Sequence, residues 1–329
     1  MPTQEFRVPQ ELDGARVDKA ALALVTGLSR AQVKRAISEG TIRVEGRYRP
    51  KGAVVAAGEV LTIVTDAALT DGSAAPTPLA PLQVVQESDL VVIVDKPAGQ
   101  ATAPLRSGET GTLANALVGR YAEMAGVGYG PREPGLLHRL DTGTSGLLIA
   151  ARTKAAFDAL ATALKAGAIV KEYTLVCTGA DLPDTSVIEF PIAKHPKDQR
   201  RVYPCIHPRD VMRYAPRPAS TRYEVIRREG PWALVLATVS RALRHQIRAH
   251  FAAIGHPLAG DALYGGPPIP GLERHALHAS RVAFDSAEPA LTFDVRSPLP
   301  AELLRILSTS PEEPPALPSP QARPDNSVG

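Results

Sequence analysis

The sequence predicts an α+β protein in which a small αα-β domain precedes a larger domain built on a mixed or antiparallel sheet. Three observations support this fold class. Short strand-like runs are frequent while helical periodicity is confined to a few segments, and the two do not alternate as in parallel βαβ proteins. A stretch rich in proline and small residues also divides the chain. The predicted parts are a small domain at 1–65, a flexible linker at 66–81, a larger domain at 82–309 and a disordered, proline-rich tail at 310–329.

Two helices and two strands are predicted within the small domain. The helices place apolar residues on one face every three or four positions, and the strands alternate apolar with polar residues. Ser29 provides an N-cap for the second helix, and Gly40 lies just beyond its end. The helices are predicted at residues 16–25 and 30–39, and the strands at 41–46 and 58–64.

The order of these elements, with a Leu-Ser-Arg turn between the helices and Val-Glu-Gly at 44–46, resembles the S4 RNA-binding domain. The resemblance covers about the first 65 residues. It implies that the second helix faces RNA through Arg30, Lys34 and Arg35. An ordinary helical pair whose cationic side chains are solvated is the alternative.

The larger domain contains many short strand-like runs, such as residues 90–94, and few helices. Its clearest helix is predicted over 154–166, because Thr153 is a suitable N-cap and Gly167 follows the last turn. Scattered helices among many strands favour a mixed or antiparallel sheet.

The composition is that of a globular protein, with 44% hydrophobic and 22% charged residues among 329. No apolar run approaches the ~18 residues of a membrane helix, and the first residues lack the basic-then-apolar pattern of a secretory signal. Two cysteines, Cys177 and Cys205, cannot form a disulfide framework and are typical of a reducing compartment. We therefore expect a cytoplasmic protein that does not enter membranes.

Positive charge is concentrated in residues 190–250. This segment holds thirteen Lys or Arg against four Asp or Glu, whereas the whole chain has a net charge of +3. Cations at this density are typical of a nucleic-acid-binding surface, because each neutralised phosphate releases counterions. A solvated arginine-rich surface without a partner would show the same excess. Charge therefore indicates a polyanion partner without establishing one.

Residues 136–151 carry the pattern most indicative of chemistry. Two apolar, strand-like runs flank a polar turn whose glycines permit tight backbone geometry. The turn is expected to place Asp141 at the edge of a sheet, with Arg139 close by. A carboxylate beside an arginine stays ionised at neutral pH, which suits a nucleophile or an electrostatic stabiliser. Alternatively, Asp141 caps its own turn by accepting hydrogen bonds from backbone N–H groups.

Residues 141–145, Asp-Thr-Gly-Thr-Ser, also match the aspartic-protease signature. Those enzymes need a second carboxylate about 3 Å away, so that the two share one proton. The chain contains no second Asp-Thr-Gly or Asp-Ser-Gly. A protease is therefore an alternative only as a homodimer.

The block Leu-His-Arg-Leu-Asp at 137–141 is one of several short motifs that occur in a fixed order. The others include Asp-Lys-Pro-Ala-Gly at 95–99, Thr-Leu-Ala-Asn-Ala-Leu at 112–117, Lys-Glu-Tyr at 171–173, Thr-Arg-Tyr at 221–223, His-Gln-Ile-Arg at 245–248, Gly-His-Pro at 255–257 and Leu-His-Ala at 277–279. Together, over about residues 88–300, they resemble the catalytic domain of RluA-type RNA pseudouridine synthases. An S4-like domain ahead of this catalytic domain is a familiar pairing in that family.

The resemblance implies an enzyme that needs no cofactor and converts uridine in RNA to pseudouridine, breaking the N1–C1′ bond and rejoining the ring through C5. The target base would be flipped into a pocket. Asp141 is then the essential nucleophile, which either attacks the sugar or assists glycal formation. Arg139 would enter the stack in place of the flipped base. Tyr173 would stack on the uracil and mediate proton removal, unless it is an ordinary tyrosine at the edge of the core.

One position departs from the family pattern. The family arginine that pairs with the catalytic aspartate stands just before His-Gln-Ile-Arg, and here Leu243 occupies the matching position. Leucine cannot pair with a carboxylate, so the role would pass to Arg244, which we favour, or to Arg241. Otherwise the pair is lost.

The interleaved basic and aromatic residues of 200–214 suit phosphate neutralisation with base stacking. They predict RNA contacts at Arg200 and Arg201, with Arg248 as a further contact, although a solvated loop is the alternative. No metal site is expected, because His245 and His250 would lie on different faces of a helix and no Cys-x-x-Cys is present.

The sequence therefore predicts a cofactor-free RNA pseudouridine synthase that is a monomer and acts on structured RNA. Large-subunit (23S) ribosomal RNA is the expected target, by analogy with relatives that carry an S4 domain, and tRNA is the second. A non-catalytic S4-type RNA-binding or ribosome-assembly protein is the alternative from another class.

Overall fold

The computed structural model describes most of the chain, as two compact units. The described residues are 3–25, 30–50, 52–64, 73–78, 80–106 and 108–308, without the side chains of Arg30, Ala31, Gln32 and Arg35. The first unit contains residues 1–173, 238–245 and 277–298, and the second contains 174–237, 246–276 and 299–329. The predicted cap Ser29, half of the predicted linker and the predicted tail lie outside the described residues.

The start of the first unit contains two helices and a three-stranded antiparallel sheet. The helices are α1 (Val17–Leu24) and α2 (Arg30–Ser38), and the strands are β1 (Thr3–Arg7), β2 (Ile42–Val44) and β3 (Val60–Val64). The strand order is β1-β3-β2, with both neighbours antiparallel to β3. The predicted helices and the two predicted strands are present, whereas β1 was not foreseen.

These elements enclose a small hydrophobic core of their own. Val17, Ala20 and Ala21 of α1 pack with Leu61 and Ile63 of β3, all of them buried. The spacing of the α1 residues matches one helical face, and the alternation in β3 matches one face of a sheet. The 3.6-residue and 2-residue patterns in the sequence therefore identify this core correctly.

The remainder of the first unit is built on a mixed sheet with two helices. The elements are β4 (Val84–Glu87), β5 (Val91–Lys96), β6 (Ser145–Ala151), the first residues of β7 (Val170–Thr178), β13 (Leu277–Phe284), β14 (Phe293–Arg296), α3 (Leu113–Arg120) and α4 (Lys154–Ala166). The strand order is β4-β5-β6-β13-β7, with β14 also paired to β13. The pair β6–β13 is parallel, while β4–β5, β5–β6 and β13–β14 are antiparallel. This mixed sheet confirms the predicted α+β class.

Helix α4 forms as its local signals predict. The Thr153 side chain accepts a hydrogen bond from the Ala156 N–H, and Gly167 ends the helix in the left-handed region with φ 77°. Ala156, Phe157 and Leu160 face the core of the unit. Both boundaries agree with the sequence because the cap and the glycine fix them locally.

The apolar run before the 141–144 turn does not form the expected strand. Leu136 makes a single bridge to Ala150, and Leu137 N donates to Ile149 O at 3.1 Å. The segment that follows is irregular up to Ser145, where β6 begins. All seven residues of β6 are buried, so only the second of the two predicted strands exists.

The second unit contains the rest of β7, further strands and three helices. They are β8 (Thr185–Ile188), β9 (Ile192–Lys194), β10 (Val202–Pro204), β11 (Thr221–Glu229), β12 (Trp232–Thr238), α5 (Pro208–Tyr214), α6 (Gln246–Ala253) and α7 (Ala301–Ser308). The strand order is β7-β12-β11-β8, and β9 and β10 form a separate antiparallel pair. Leu303, Ile306 and Leu307 of α7 are buried in the core of this unit. Within the described ranges, none of the helices has the length and apolar character needed to cross a bilayer.

Candidate active site

Asp141 begins a tight turn that leads directly into β6. The Thr144 N–H donates to the Asp141 carbonyl at 3.0 Å, which closes the turn. The side chain of Asp141 keeps 22% of its surface exposed, whereas Thr144 and Ser145 are buried. The carboxylate is therefore accessible to a ligand at the beginning of a buried strand, which is the position that the sequence predicts.

The residue after Asp141 is fixed by the loop that follows β5. Lys96 is fully buried, and its ammonium donates to the carbonyls of Pro97 at 2.9 Å, Gln100 at 2.8 Å and Thr142 at 3.3 Å. The Gly99 N–H donates to the same Thr142 carbonyl at 2.8 Å. Gly99 has φ 86°, a conformation that side chains disfavour. One lysine therefore fastens the loop after β5 to the Asp141 turn.

The residue before Asp141 is fixed by the same loop. The Thr102 hydroxyl donates to the Leu140 carbonyl at 2.7 Å and accepts from the Leu140 N–H at 3.2 Å. Thr102 and Leu140 are both buried. Both backbone neighbours of Asp141 are thus held by groups at and after the end of β5, so the backbone of Asp141 cannot shift without breaking these bonds.

Tyr173 lies on the buried face of β7 in the same unit as Asp141. Burial raises the pKa of Tyr173 strongly, and the negative charge of Asp141 raises it further. The Asp141 carboxylate is therefore close enough to act on the phenol electrostatically. Tyr173 is therefore a neutral phenol at neutral pH, which can donate a hydrogen bond but cannot act as a phenolate base.

Sequence reasoning missed His245 as a contact of Asp141. Its Nε2 lies 3.7 Å from Asp141 Oδ2, which gives an ion pair when the imidazole is protonated. His245 adopts φ 53°, a left-handed conformation that is uncommon outside glycine and costs on the order of 1 kcal/mol or more. The sequence placed His245 on a helix with His250, but α6 begins at Gln246. The only sequence signal for His245 was its place in the His-Gln-Ile-Arg motif.

The arginines that the sequence associated with Asp141 differ in their surroundings. Arg139 is exposed, and its Nη1 pairs with Glu133 Oε1 at 2.9 Å instead of with Asp141. Arg244 lies in the turn just before α6 and is exposed, as is Arg241, while Leu243 is partly buried. Arg244 is thus directly adjacent in sequence to His245, which contacts the carboxylate.

A buried histidine and a buried lysine add to the unusual electrostatics of this region. His138 Nε2 accepts from the Ile149 N–H at 3.3 Å, so the ring is neutral and its proton is on Nδ1. That Nδ1 is shielded from solvent and has no hydrogen-bond partner among the described residues. Burial, with the nearby Lys171 charge, lowers the pKa of His138 to about 3. Burial lowers the pKa of Lys171 to about 8. Groups perturbed in this way are concentrated at functional sites.

A chain of buried hydrogen bonds lies beneath the start of β6. Ser297 Oγ donates to Asp95 Oδ2, so it must accept from His278 Nε2 at 3.0 Å. The other ring nitrogen of His278 then accepts from Ser145 Oγ, at 2.9 Å. His278 is therefore held as the neutral Nε2–H tautomer, and it links Asp95 of β5 to the first residue of β6.

The predicted RNA contacts differ in their surroundings. Arg200 and Arg201 both pair with Asp198, and hydrogen bonds from Arg200 hold the pKa of Asp198 down to about 2. Lys34 is exposed on α2. The side chains of the other two predicted S4-type contacts, Arg30 and Arg35, lie outside the described residues.

Arg248 requires a correction. Its guanidinium is buried and makes two hydrogen bonds to Asp261, at 2.7 and 2.8 Å. It also lies over the Tyr264 ring, 5.1 Å from the centroid. An arginine buried and neutralised in this way cannot contact RNA, so its role is structural. Counting charge along the sequence could not distinguish it from the exposed arginines.

The histidines do not converge with other metal-binding side chains. Within the described ranges, no three His, Cys, Asp or Glu residues are placed to hold a metal ion. His250 is buried, with its ring nitrogens on the Thr221 hydroxyl and the Phe190 carbonyl, both at 2.9 Å. Burial lowers the pKa of His250, so it is a neutral structural histidine.

Comparison with known proteins identifies clear relatives. The family model described as RNA pseudouridylate synthase matches residues 90–253. The chain is 31% identical to ribosomal large subunit pseudouridine synthase D of Neisseria meningitidis serogroup A, covering 92% of this chain and 80% of that protein. It is 30% identical to the Yersinia pestis protein of the same name, covering 90% of each. It is 33% identical to an uncharacterized RNA pseudouridine synthase of Chloroflexus aurantiacus, covering 91% of each.

Solved structures agree on the fold. Human RNA Pseudouridylate Synthase Domain Containing 4 aligns with a TM-score of 0.53 and 19% identity, over 69% of this chain and 92% of that one. Human RNA Pseudouridylate Synthase Domain Containing 1 aligns with a TM-score of 0.52 and 23% identity, over 72% and 98%. At these identities the likeness concerns the fold alone.

Proposed function

We propose that this chain, which belongs to the RNA pseudouridylate synthase family, isomerises uridine to pseudouridine in large-subunit ribosomal RNA. Relatives named for that substrate match it at 30–31% identity over at least 90% of its length. The observation that carries the proposal is the accessible Asp141 carboxylate, which is held on both sides by one loop and lies beside a buried tyrosine. Family membership decides against the aspartic-protease alternative.

Asp141 is proposed as the group that attacks the target nucleoside. The N1–C1′ bond breaks, and Asp141 either bonds to C1′ or assists formation of a glycal. The freed uracil turns and bonds to C1′ through C5, and any bond between Asp141 and C1′ breaks as this bond forms. The C5 proton then leaves to solvent and N1 takes up a proton, so the product has the same composition as the substrate. Because no water is added across the bond, one carboxylate suffices and a second carboxylate to activate water is unnecessary.

Tyr173 is proposed to stack on the flipped uracil and to donate a hydrogen bond to it. Its raised pKa supports a donor role, because a neutral phenol keeps its proton at the pH of the cell. If Tyr173 takes part in removing the C5 proton, it must first pass its own proton to another group. We therefore assign Tyr173, as a hydrogen-bond donor, to binding and orienting the uracil.

Arg244 is proposed as the cationic partner of Asp141 in place of the family arginine at Leu243. Its position next to His245, which already contacts the carboxylate, supports this choice over Arg241. The residues that remain candidates for RNA contact are Arg139 beside the site, Arg200 and Arg201, and the S4-like helix residues Arg30, Lys34 and Arg35. We infer that residues 1–65 act as an S4-like RNA-binding domain, which is supported by their separate sheet and core.

The test is release of tritium from [5-³H]uridine in 23S ribosomal RNA taken from cells that lack the protein. Wild type should release tritium, and Asp141→Asn should release none while binding the RNA equally well. Asp181→Asn, which changes an exposed carboxylate, is the matched control and should behave as wild type. Release from tRNA but not from ribosomal RNA would move the substrate to tRNA. Equal inactivity of wild type and Asp141→Asn, with tight binding, would support the non-catalytic RNA-binding alternative.

The partner of Asp141 is tested in the same assay. Arg244→Gln should lower kcat about a hundredfold or more, as expected for a lost charge on a catalytic carboxylate. Arg241→Gln should lower it little. The reverse order of effects would assign the role to Arg241.

A further inference from the structure

Residues 192–217 of the second unit form a closed segment, here called the basic arm. Its two ends are joined by hydrogen bonds between Ile192 and Arg217, both 2.9 Å long. Between them lie strands β9 and β10, which pair antiparallel, and helix α5. A segment whose ends are fixed together in this way presents one defined surface instead of a freely moving loop.

The aromatic residues of the basic arm are used to hold it together. The Tyr203 ring packs edge to face against His195 and Tyr214, with centroids 5.9 and 5.5 Å apart. The Tyr203 hydroxyl donates to Asp210 at 3.0 Å. Arg213 lies over the Tyr214 ring at 5.4 Å. The sequence suggested that these rings stack on bases; in the structure they are half-buried and packed against one another.

The outer surface of the arm exposes aliphatic side chains instead. Met212 is 89% exposed, more than any other large hydrophobic residue in the described ranges, and Ile206 and Val211 are 48% and 39% exposed. Single exposed apolar residues are common, but three within seven consecutive residues are a local concentration of exposed apolar surface, here called the patch. Because the aromatic cluster fixes α5, the patch is displayed in one orientation.

The basic arm also carries exposed cations that form no ion pair with a residue that the structure describes. They are Lys194, Lys197, Arg209, Arg213 and Arg217. The two acidic side chains of the arm are already engaged, Asp198 by Arg200 and Arg201, and Asp210 by Tyr203. The arm therefore offers positive charge without competing negative charge, which is complementary to a polyanion.

We propose that Ile206, just before α5, and Val211 and Met212 on α5 form a wedge that docks on the substrate RNA. The cations of the basic arm bind phosphates while the aliphatic side chains lie against the bases of a widened groove or a partly unstacked step. Proteins that use aliphatic wedges on nucleic acids combine these same two features. The proposal rests on RNA being the substrate and adds a contact that determines which RNA structure is bound.

A crosslinking experiment tests the contact directly. Met212→Cys is labelled with an aryl azide, and the two native cysteines should not react because both are buried. Irradiation with 23S ribosomal RNA should give a crosslink from position 212. Leu304→Cys on α7 is the matched control, since Leu304 is also an exposed aliphatic residue, at 44%, and it should give none. Absence of a crosslink at 212, or equal crosslinking at both positions, overturns the proposal.

Binding measurements test the energetic contribution. The double substitution Val211→Ser, Met212→Ser should weaken RNA binding about tenfold, as expected for apolar side chains that are buried on docking. The value of kcat at saturating RNA should stay within twofold, whereas Leu304→Ser should change neither quantity. Replacing both Arg209 and Arg213 by Gln should reduce the slope of log Kd against log salt by about two.

The outcomes separate this proposal from the proposed activity. If wild type releases no tritium but position 212 still crosslinks to RNA, the docking wedge stands and the enzymatic function fails. If wild type is active and the Val211, Met212 variant binds RNA with wild-type affinity, the wedge is refuted. A loss of self-association in that variant, measured by light scattering with unchanged RNA affinity, would show that a second copy covers the patch and would also refute it.

Discussion

Replacing Thr102 by Val should separate the stability of the protein from the placement of Asp141, the proposed catalytic carboxylate. Valine has nearly the shape of threonine but lacks the hydroxyl that bonds both the carbonyl and the N–H of Leu140. Both residues are buried, so the two backbone groups of Leu140 lose their partner in a place that water does not readily reach. A buried polar group left without a partner costs about 1–3 kcal/mol. We expect the free energy of unfolding to fall by about 2 kcal/mol.

The effect on catalysis should be larger than the effect on folding suggests. Leu140 directly precedes Asp141, and a shift of about 1 Å in a reacting group can lower the rate about a hundredfold. We therefore expect kcat for tritium release to fall between about tenfold and a hundredfold, with little change in RNA affinity. Thr102→Ser keeps the hydroxyl and should restore most of kcat.

The assay pairs urea denaturation with single-turnover tritium release at a temperature where every variant is folded. Phe157→Leu, on the core face of α4, is a control that lowers stability by about 1–2 kcal/mol without contacting the Asp141 turn. If Thr102→Val lost stability but kept wild-type kcat, Thr102 would not position Asp141. The same conclusion would follow if Phe157→Leu lowered kcat equally.

Three further predictions concern buried charge. The fold lowers the pKa of His138 from 6.5 to about 3. Between these values the unfolded chain binds a proton that the folded chain does not, so stability falls as the pH drops below 6.5. Urea denaturation should show that His138→Gln loses less stability than wild type between pH 7 and pH 4. Burial lowers the pKa of Lys171 from 10.5 to about 8. The cost of burying its charge is therefore fully present below pH 8 and disappears above pH 10.5, so the stability of wild type rises across that range. The stability of Lys171→Met relative to wild type should decline over the same range. Arg248→Met leaves Asp261 buried and unpaired, so it should lower the free energy of unfolding by about 3–5 kcal/mol in the same assay. A double variant that also replaces Asp261 by Leu should recover part of this loss.

The sequence predicted those elements whose boundaries and faces are encoded locally. Helix α4 has a threonine cap and a C-terminal glycine, and it begins and ends where these residues require. Helix α1 buries the residues that its period assigns to one face. Strand β1 was missed because its five residues, Thr3–Arg7, are not buried, and only pairing with β3 makes them a strand. That pairing joins residues more than 50 positions apart, which no local pattern records.

In the candidate active site, too, residues marked by a local motif were predicted, and residues whose role depends on the folded chain were not. Asp141 and Tyr173 were identified through motifs, and the structure places them within electrostatic reach of each other. His245 was missed because its contact with Asp141 depends on a left-handed backbone just before α6, and a sequence pattern gives no conformation to a single residue. Arg248 was assigned to RNA because charge is visible in a sequence, whereas its partner Asp261 and its burial are not.

The short motifs that surround the Asp141 block have a physical reason to occur together. Lys96 and Gly99, from Asp-Lys-Pro-Ala-Gly, bind the carbonyl that follows Asp141, while Asp95 begins the hydrogen-bonded chain that reaches Ser145 through Ser297 and His278. His278, from Leu-His-Ala, thus acts on the same turn from a strand more than 130 residues away.

In this structure the backbone on both sides of Asp141 is bonded to other groups, through Thr102 before it and Lys96 after it. Fixing the backbone in this way limits the motion of Asp141 and lowers the entropic cost of placing it against a substrate. The Asp-Lys-Pro-Ala-Gly and Leu-His-Ala motifs are therefore parts of one positioning device, and a substitution of Lys96 or His278 should lower kcat before it lowers RNA affinity.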